Sequence, residues 1–322
     1  MTHRLVVLAL ALAIAAGAVV QSSAQSGYPE RPIRIVVPFA PGGTADIVAR
    51  IAAEQVSADQ GWRVYIENIT GAGGSVGAAA AARAPADGYT MLVCNVSCAA
   101  NQFLLGSTGF DPDADIAPVI VLGNVPNVLV VGPGTSATTL PELIAYARAN
   151  PGKVSIASSG PGSSSHLSAQ LLRVKAQIDI VDVPYRGSSA AMPDILSGRV
   201  DGMVMGLPES LPFVRDGKLK ALGVTPDKRA SALPNVPTFA QAGVPDYSFL
   251  GWLSLFVSQR TPAAAVEKLN AAFRKSLQSP ALLARFAEQS IEPVGGSAEL
   301  AGKLLKSDIV LWRQILVSKP KG

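Results

Sequence analysis

Ile33-Arg34-Ile35-Val36-Val37-Pro38-Phe39-Ala40-Pro41-Gly42-Gly43-Thr44-Ala45-Asp46 is the stretch whose reading decides the fold. Four of its first five residues are β-branched and apolar, which suits a buried strand. Pro38 ends that strand, because proline cannot donate to a ladder. Over 44–59 the apolar residues Ile47, Ile51 and Val56 recur at helical spacing and share one face. Between strand and helix lie Gly42 and Gly43, which let backbone approach a ligand closely. Thr44 is placed both to cap the helix and to donate to a ligand. Asp46 has two readings: it complements the positive end of the helix, or it serves the loop. A strand, a glycine loop and a helix in this order form the start of a parallel α/β unit.

The same alternation continues outward. Strands are expected at 63–67, 89–93, 128–131, 154–157, 178–183 and 202–205, and helices at 75–84, 140–150, 164–175 and 190–197. Thr139 followed by Glu142 has capping-box spacing. After a strand at 252–257 the chain reads as helical, over 263–277, 281–289 and 298–316, with Pro262 at a first helical position. With no strands of their own to cover, these last helices are expected to pack on strands made earlier. The fold class expected is therefore α/β, in two lobes, each a mostly parallel sheet flanked by helices. One lobe is 25–123 plus 251–322 and the other 124–250, with crossings near Gly123-Asn124 and Leu250-Gly251.

Composition bounds the function. Charged residues are 16% of 322, against about 25% in an ordinary soluble domain, and mean hydropathy is +0.31. That invites a membrane reading. Only 5–20 is long and apolar enough to test, and it follows His3 and Arg4 and leads to Ser22-Ser23-Ala24. It reads as a cleavable signal peptide over 1–24. No twin-Arg pair and no lipobox cysteine accompany it, so a soluble periplasmic protein is expected. The remaining apolarity fits buried parallel strands under Ala-rich helices. Net charge is +4 with no Lys/Arg cluster, which argues against nucleic acid as a partner. Cys94 and Cys98 can pair in an oxidising compartment. Their gap, in a segment read as non-helical, permits a bridge without requiring one. Two Cys with no neighbouring His make a poor zinc set.

Three more glycine/serine loops each follow a strand and precede a helix, where α/β sheets bind ligands and helix N–H groups suit anions. The loop at 68–77 holds Gly71, Gly73 and Gly77, but Val76 breaks the dinucleotide spacing, and close helix–strand packing is the plainer use. The loop at 158–166 (Ser158, Ser159, Gly160, Pro161, Gly162, Ser163, Ser164, Ser165, His166) has no lysine after its glycines, so it is not a phosphate loop. Its hydroxyls and N–H groups suit a carboxylate, and His166 either faces the ligand or closes its helix turn. In the loop at 184–189, Tyr185 is a candidate wall, Gly187 and the amides near Ser188 are donors, and Arg186 is a carboxylate partner or a surface residue. A Ser/His hydrolase is the rival. However, no Gly-x-Ser-x-Gly elbow exists, and His166 lies too near Ser163 and Ser164 on one helix start for a triad.

Taken together, the motifs resemble the tripartite tricarboxylate transporter substrate-binding proteins, the Bug (Bordetella uptake gene) receptors. The likeness runs over essentially the whole mature chain. It includes Tyr28-Pro29, 32–39 with Gly42-Gly43 and Asp46, Gly71-Ala72-Gly73-Gly74, Ala86-Asp87-Gly88-Tyr89-Thr90 and Phe110-Asp111-Pro112. It continues with Pro184-Tyr185-Arg186-Gly187, Ser197-Gly198-Arg199-Val200-Asp201, 217–222 and 233–238. The resemblance implies a type II-like periplasmic binding protein, monomeric and without cofactor or metal. Two lobes would close by a hinge on a small carboxylate or amino acid and deliver it to membrane subunits. It implies a first-lobe set of Phe39, Ala40, Gly42, Gly43, Thr44 and Asp46. The second-lobe set is Ser158, Gly160, Ser163, Ser164, His166, Tyr185 and Gly187. Two segments depart from the family pattern. Cys94-Asn95-Val96-Ser97-Cys98 replaces an ordinary polar loop, with Asn95 a further candidate, and Met203-Val204-Met205-Gly206-Leu207 is apolar where the cleft continues. A periplasmic sensor with the same binding chemistry is the alternative role.

Overall fold

The computed structural model describes residues 27–106, 108–247 and 249–317, so the leader expected over 1–24 lies outside the described residues. β1 (Ile33–Val37) runs parallel between β2 (Val64–Asn68) and β3 (Thr90–Cys94), with Ile33 opposite Val64 and Arg34 opposite Thr90. α1 (Thr44–Gln60) covers one face through Val48, Ile51, Ala52 and Val56, while Ile47, expected on that face, is only partly buried. Complete burial of a side chain such as Val48 stabilises by about 1.5–3 kcal/mol. The helix stops at Gly61, where φ is +69° and the N–H bonds back to Ser57 O. α2 (Ser75–Ala82) packs against Pro38 at Gly77, where a Cβ would stand 2.9 Å from Pro38 Cα. That is the close helix–strand packing expected of this glycine.

β4 (Ile116–Val131) joins the two halves. Its first part pairs with β9 (Leu250–Ser258), from Ile116 opposite Ser258 to Pro126 opposite Leu250. From Asn127 onward it pairs instead with β7 (Gly202–Gly206) and β8 (Lys220–Val224). β4 and β9 run antiparallel to their neighbours, so each half is mixed: a parallel group flanking the long crossing strands. Beyond β7 the sheet ends in β5 (Val154–Ser158) and β6 (Ile180–Pro184), both parallel. α4 (Leu140–Ala149), α5 (Ser164–Ala176), α6 (Ser188–Leu196) and α7 (Leu207–Arg215) cover this second half. Where the register changes, Asn127 N donates to Thr225 Oγ1 at 3.1 Å and Thr225 Oγ1 donates to Phe249 O, tying both crossings together.

The chain then returns to the first half through β9, α8 (Ala263–Ser276), α9 (Pro280–Glu288) and α10 (Ala298–Val317). One expectation needs correction here: β10 (Glu292–Gly295) adds an antiparallel strand to β4 inside the tail read as strandless. A second correction concerns 94–98. This segment is not irregular, because α3 (Val96–Leu104) starts immediately after Asn95, whose side chain accepts from Ser97 N at 2.9 Å. Cys94 and Cys98 are bridged across that first turn, with Cα atoms 5.9 Å apart. α3 and α10 straddle both halves. Cys98, Ala99, Ala301 and Leu305 pack in the first-half core, and Val96, Ala100 and Trp312 in the second.

Candidate functional site

Five helices start at one cavity between the halves. Gly43 and Thr44 of α1 and Asn95 and Val96 of α3 come from the first half. Ser163 and Ser164 of α5, Gly187 and Ser188 of α6, and Gly206 of α7 come from the second. Each start presents unpaired N–H groups and the positive end of a helix dipole. The floor is laid by Val125, Met205, Trp252 and Leu253. Trp252 Nε1 donates to Asp308 at 2.7 Å, so its indole N–H is already engaged. No Lys, Arg or His lines this inner cavity among the described residues. A wider outer cavity adjoins it and shares Phe39, Ala40, Ser159 and Gly187.

The two halves touch through glycines. A Cβ on Gly206 would stand 2.7 Å from Thr44 Cβ, and one on Gly187 2.8 Å from Ala40 Cβ. Cβ atoms on Gly73 and Gly162 would collide with Pro161 O and with Asn101 Oδ1. The absent side chains let the backbone of one half approach the other closely enough to enclose the cavity.

The candidates read from sequence divide into lining and supporting residues. Phe39, Ala40, Gly43, Thr44, Asn95, Ser163, Ser164 and Gly187 line the inner cavity. Gly160 and Tyr185 line the outer one, with Arg186 beside them. Gly42, Asp46, Ser158 and His166 line neither. Asp46 lies behind the loop and accepts from Gly42 N, Asn68 Nδ2 and the Nε and Nη2 of Arg50 at 2.9–3.0 Å. Burial alone would raise its pKa, but these donors and the Arg50 charge outweigh it and hold the carboxyl low. Its work is to fix the loop. Thr44 is not a cap: the N-cap is Gly43, and the buried Thr44 hydroxyl faces Gly206 and Glu209 of the second half. Ser158 is fully buried at the end of β5.

Residues 48–319 match the sequence profile described as "Tripartite tricarboxylate transporter family receptor". The chain belongs to that family. It is 34% identical to "Protein BugT" of Bordetella pertussis over 318 residues, covering 98% of this chain and 97% of BugT. Among solved structures, "R. palustris Rpa4515 with adipate" superposes with a TM-score of 0.86 at 35% identity, covering 89% of this chain and 97% of that one. "MatC (Rpa3494) from Rhodopseudomonas palustris with bound malate" gives a TM-score of 0.85 at 30% identity, covering 90% and 100%.

These relatives are substrate-binding receptors, not enzymes, and the α5 start of this receptor is built accordingly. Ser163 Oγ accepts from His166 N and shares a hydrogen bond with Ser165 Oγ at 3.0 Å. His166 Nδ1 accepts from Gly162 N at 3.2 Å. Burial lowers the His166 pKa despite the charge of Asp182, and the ring closes its own helix turn. Tyr185 donates its hydroxyl to Asp194 Oδ2 at 2.6 Å and lines the outer cavity.

The sequence reading missed Glu209, the one ionisable side chain among the described residues lining the receptor's inner cavity. It sits in the first turn of α7 and accepts from Gly206 N at 3.1 Å and from Ser188 Oγ at 2.5 Å. The available signal was Leu207-Pro208-Glu209, a proline and an acid in a first helical turn. The apolar run before it masked that signal. No helix among the described residues is long and apolar enough to cross a membrane.

Proposed function

We propose that this chain is a periplasmic solute receptor that captures a small organic carboxylate between its halves and presents it to the membrane subunits of a tripartite tricarboxylate-type transporter. The ligand class is a di- or tricarboxylate, an amino acid or an aromatic acid. One observation carries this reading: five helix N-termini, drawn from both halves, converge on a cavity with no cationic side chain in its lining. Such a site holds an anion through N–H groups and hydroxyls and releases it readily. The adipate and malate in the two Rhodopseudomonas palustris structures support the class.

In this reading Phe39, Ala40, Gly43 and Thr44 offer the first-half contacts, with Asn95 beside them. Ser163, Ser164 and Gly187 complete the site from the second half. Gly42 and Asp46 shape the first loop, and Tyr185 and Gly160 border the mouth. The lobes are 25–123 with 251–322 and 124–250, and they bend where β4 changes partners near Asn127 and where β9 begins at Leu250. A ligand closes them only by binding the closed form better than the open one, and contacts to both halves supply that difference. Leader cleavage after Ala24 would release the receptor into the periplasm.

Thermal-shift and calorimetric titration of the leaderless protein against a carboxylate panel tests the reading. Saturable binding by one chemical group of carboxylates is expected. A broad panel with no binder refutes the ligand class.

A further inference from the structure

Glu209 is the third helical residue of α7, and one of its oxygens closes that helix start on the Gly206 N–H, but its other oxygen points elsewhere. Its carboxyl comes from α7 in the second half. Oε2 reaches across to within 3.5 Å of where a Cβ on Gly43 would stand, at the start of α1 in the first half. Oε1 takes the N–H of Gly206, and Oε2 takes the hydroxyl of Ser188. Thr44 of α1 also faces this carboxyl and lies against Gly206. A donor group on the ligand would take the place of the Thr44 hydroxyl against this carboxyl. Glu209 also stays partly accessible, and it lines the cavity.

The charges around it are few. On α1, Asp46 is neutralised by Arg50, and Glu54 pairs with Arg285 on α9. On α6, Asp194 lies at the far end from Ser188 and is held by Arg199 and Tyr185. β7 and the stretch of β4 beside α7 carry no ionisable residue. On α7 itself Arg215 closes the opposite end. No cation therefore stands ready to neutralise a second carboxylate brought against Glu209.

We propose that Glu209 is a specificity-determining residue, dividing the inner cavity into an anion end and an acceptor end. Its ligand is then a carboxylate carrying a hydrogen-bond donor, an amino or hydroxyl group, at the other end. The carboxylate goes to the N-termini of α3 and α5, where Val96 and Ser164 line the cavity beside the N-cap residues Asn95 and Ser163, with no acid among them. The donor meets Glu209 and Thr44, and the apolar floor of Val125, Met205 and Leu253 takes the carbon chain between. An α,ω-dicarboxylate of the same length would bring like charges together in an enclosed site, an arrangement that costs heavily. The inference rests on the carboxylate-receptor reading and narrows it.

The test compares C4 to C6 dicarboxylates with ω-amino and ω-hydroxy monocarboxylates of equal chain length. Calorimetry at neutral pH is run on the leaderless protein and on Glu209→Gln. The wild type is expected to bind its best donor-terminated ligand at least about tenfold more tightly than the matching dicarboxylate. In E209Q that ratio should shrink to about threefold or less, mainly through tighter dicarboxylate binding, with circular dichroism confirming the fold. A wild type that prefers dicarboxylates, or a variant that shifts both ligand classes equally, overturns this proposal alone. A wild type that binds no carboxylate at all overturns the receptor reading and this proposal with it.

Discussion

Replacing Gly206 with alanine should hold the halves apart without harming either one. The backbone at this position, φ −61° and ψ 139°, accepts any residue, so strain within the second half is small. The obstacle lies across the cavity. The new Cβ would stand 2.7 Å from Thr44 Cβ, whereas ordinary carbon contacts begin near 3.4 Å. Rotating the Thr44 side chain moves Oγ1 but leaves its Cβ in place, so the backbones must separate by a sizeable fraction of an ångström. Overpacking of this kind costs about 1–3 kcal/mol. On the proposed hinge closure only the closed form makes the contact, and that cost then reappears as a loss of ligand affinity of about 5- to 150-fold. Gly206→Ser and Gly206→Val should extend the loss in order of size. Calorimetry measures affinity, and the radius of gyration from small-angle scattering reports closure at saturating ligand. The thermal midpoint of the ligand-free variant should stay near the wild-type value. Wild-type affinity in G206A, or affinity lost together with the ligand-free midpoint, would refute the argument that glycine serves closure here.

Asp46→Asn keeps one acceptor but loses the charge-assisted fork with Arg50. Since Arg50 is 46% exposed and screened, the expected cost is about 1–2 kcal/mol by urea denaturation. Because the native carboxyl is held below its usual 3.8, its contribution is complete above that value and is lost as pH falls through the native pKa. The gap between wild type and D46N should therefore close on acidification, and a gap that widens contradicts the assignment. Phe273→Ala empties a fully buried site in the first-half core and should cost about 3–5 kcal/mol in the same assay. Tyr247→Phe removes a buried hydroxyl that donates to Ser168 O at 3.0 Å and meets Ser168 Oγ at 2.7 Å. It should cost about 1–2 kcal/mol, and an unchanged midpoint would mean that Ser168 finds another partner. Burial raises the Glu209 pKa, with Ser188, Gly206 and Thr44 only partly offsetting it. Dicarboxylate affinity should therefore rise as pH falls and Glu209 takes up a proton, whereas E209Q shows no such rise.

The elements that read correctly were those whose local pattern and tertiary role agree. β1 is a run of β-branched residues closed by Pro38, and α1 has apolar spacing and a glycine stop, so chain-local preference and packing point the same way. β4 was legible only over its last four residues. Pro118, Gly123, Asn124, Pro126 and Asn127 interrupt the pattern before them, and two register shifts absorb the irregularity in the pairing with β9. α3 is short and carries Ser, Cys and Asn, so its one strong local signal is Asn95 as N-cap. α7 opens with Leu207 and Pro208 directly after an apolar strand, which hid both the helix and Glu209.

By itself the sequence determined the α/β alternation, the glycine- and serine-rich loops at strand ends, the leader pattern and the motif set shared with the receptor family. These follow from short-range chemistry: periodicity, proline and glycine stops, and helix-start residues. Only the tertiary structure decided which loops meet. It brought five helix starts to one cavity, put Asp46 behind the loop rather than in it, and turned His166 back onto Gly162. It also placed Glu209 of one half against Gly43 of the other. Those facts depend on where β4 changes partners and how closely the halves approach across Gly187 and Gly206. Contacts between residues more than a hundred positions apart have no period or motif to announce them.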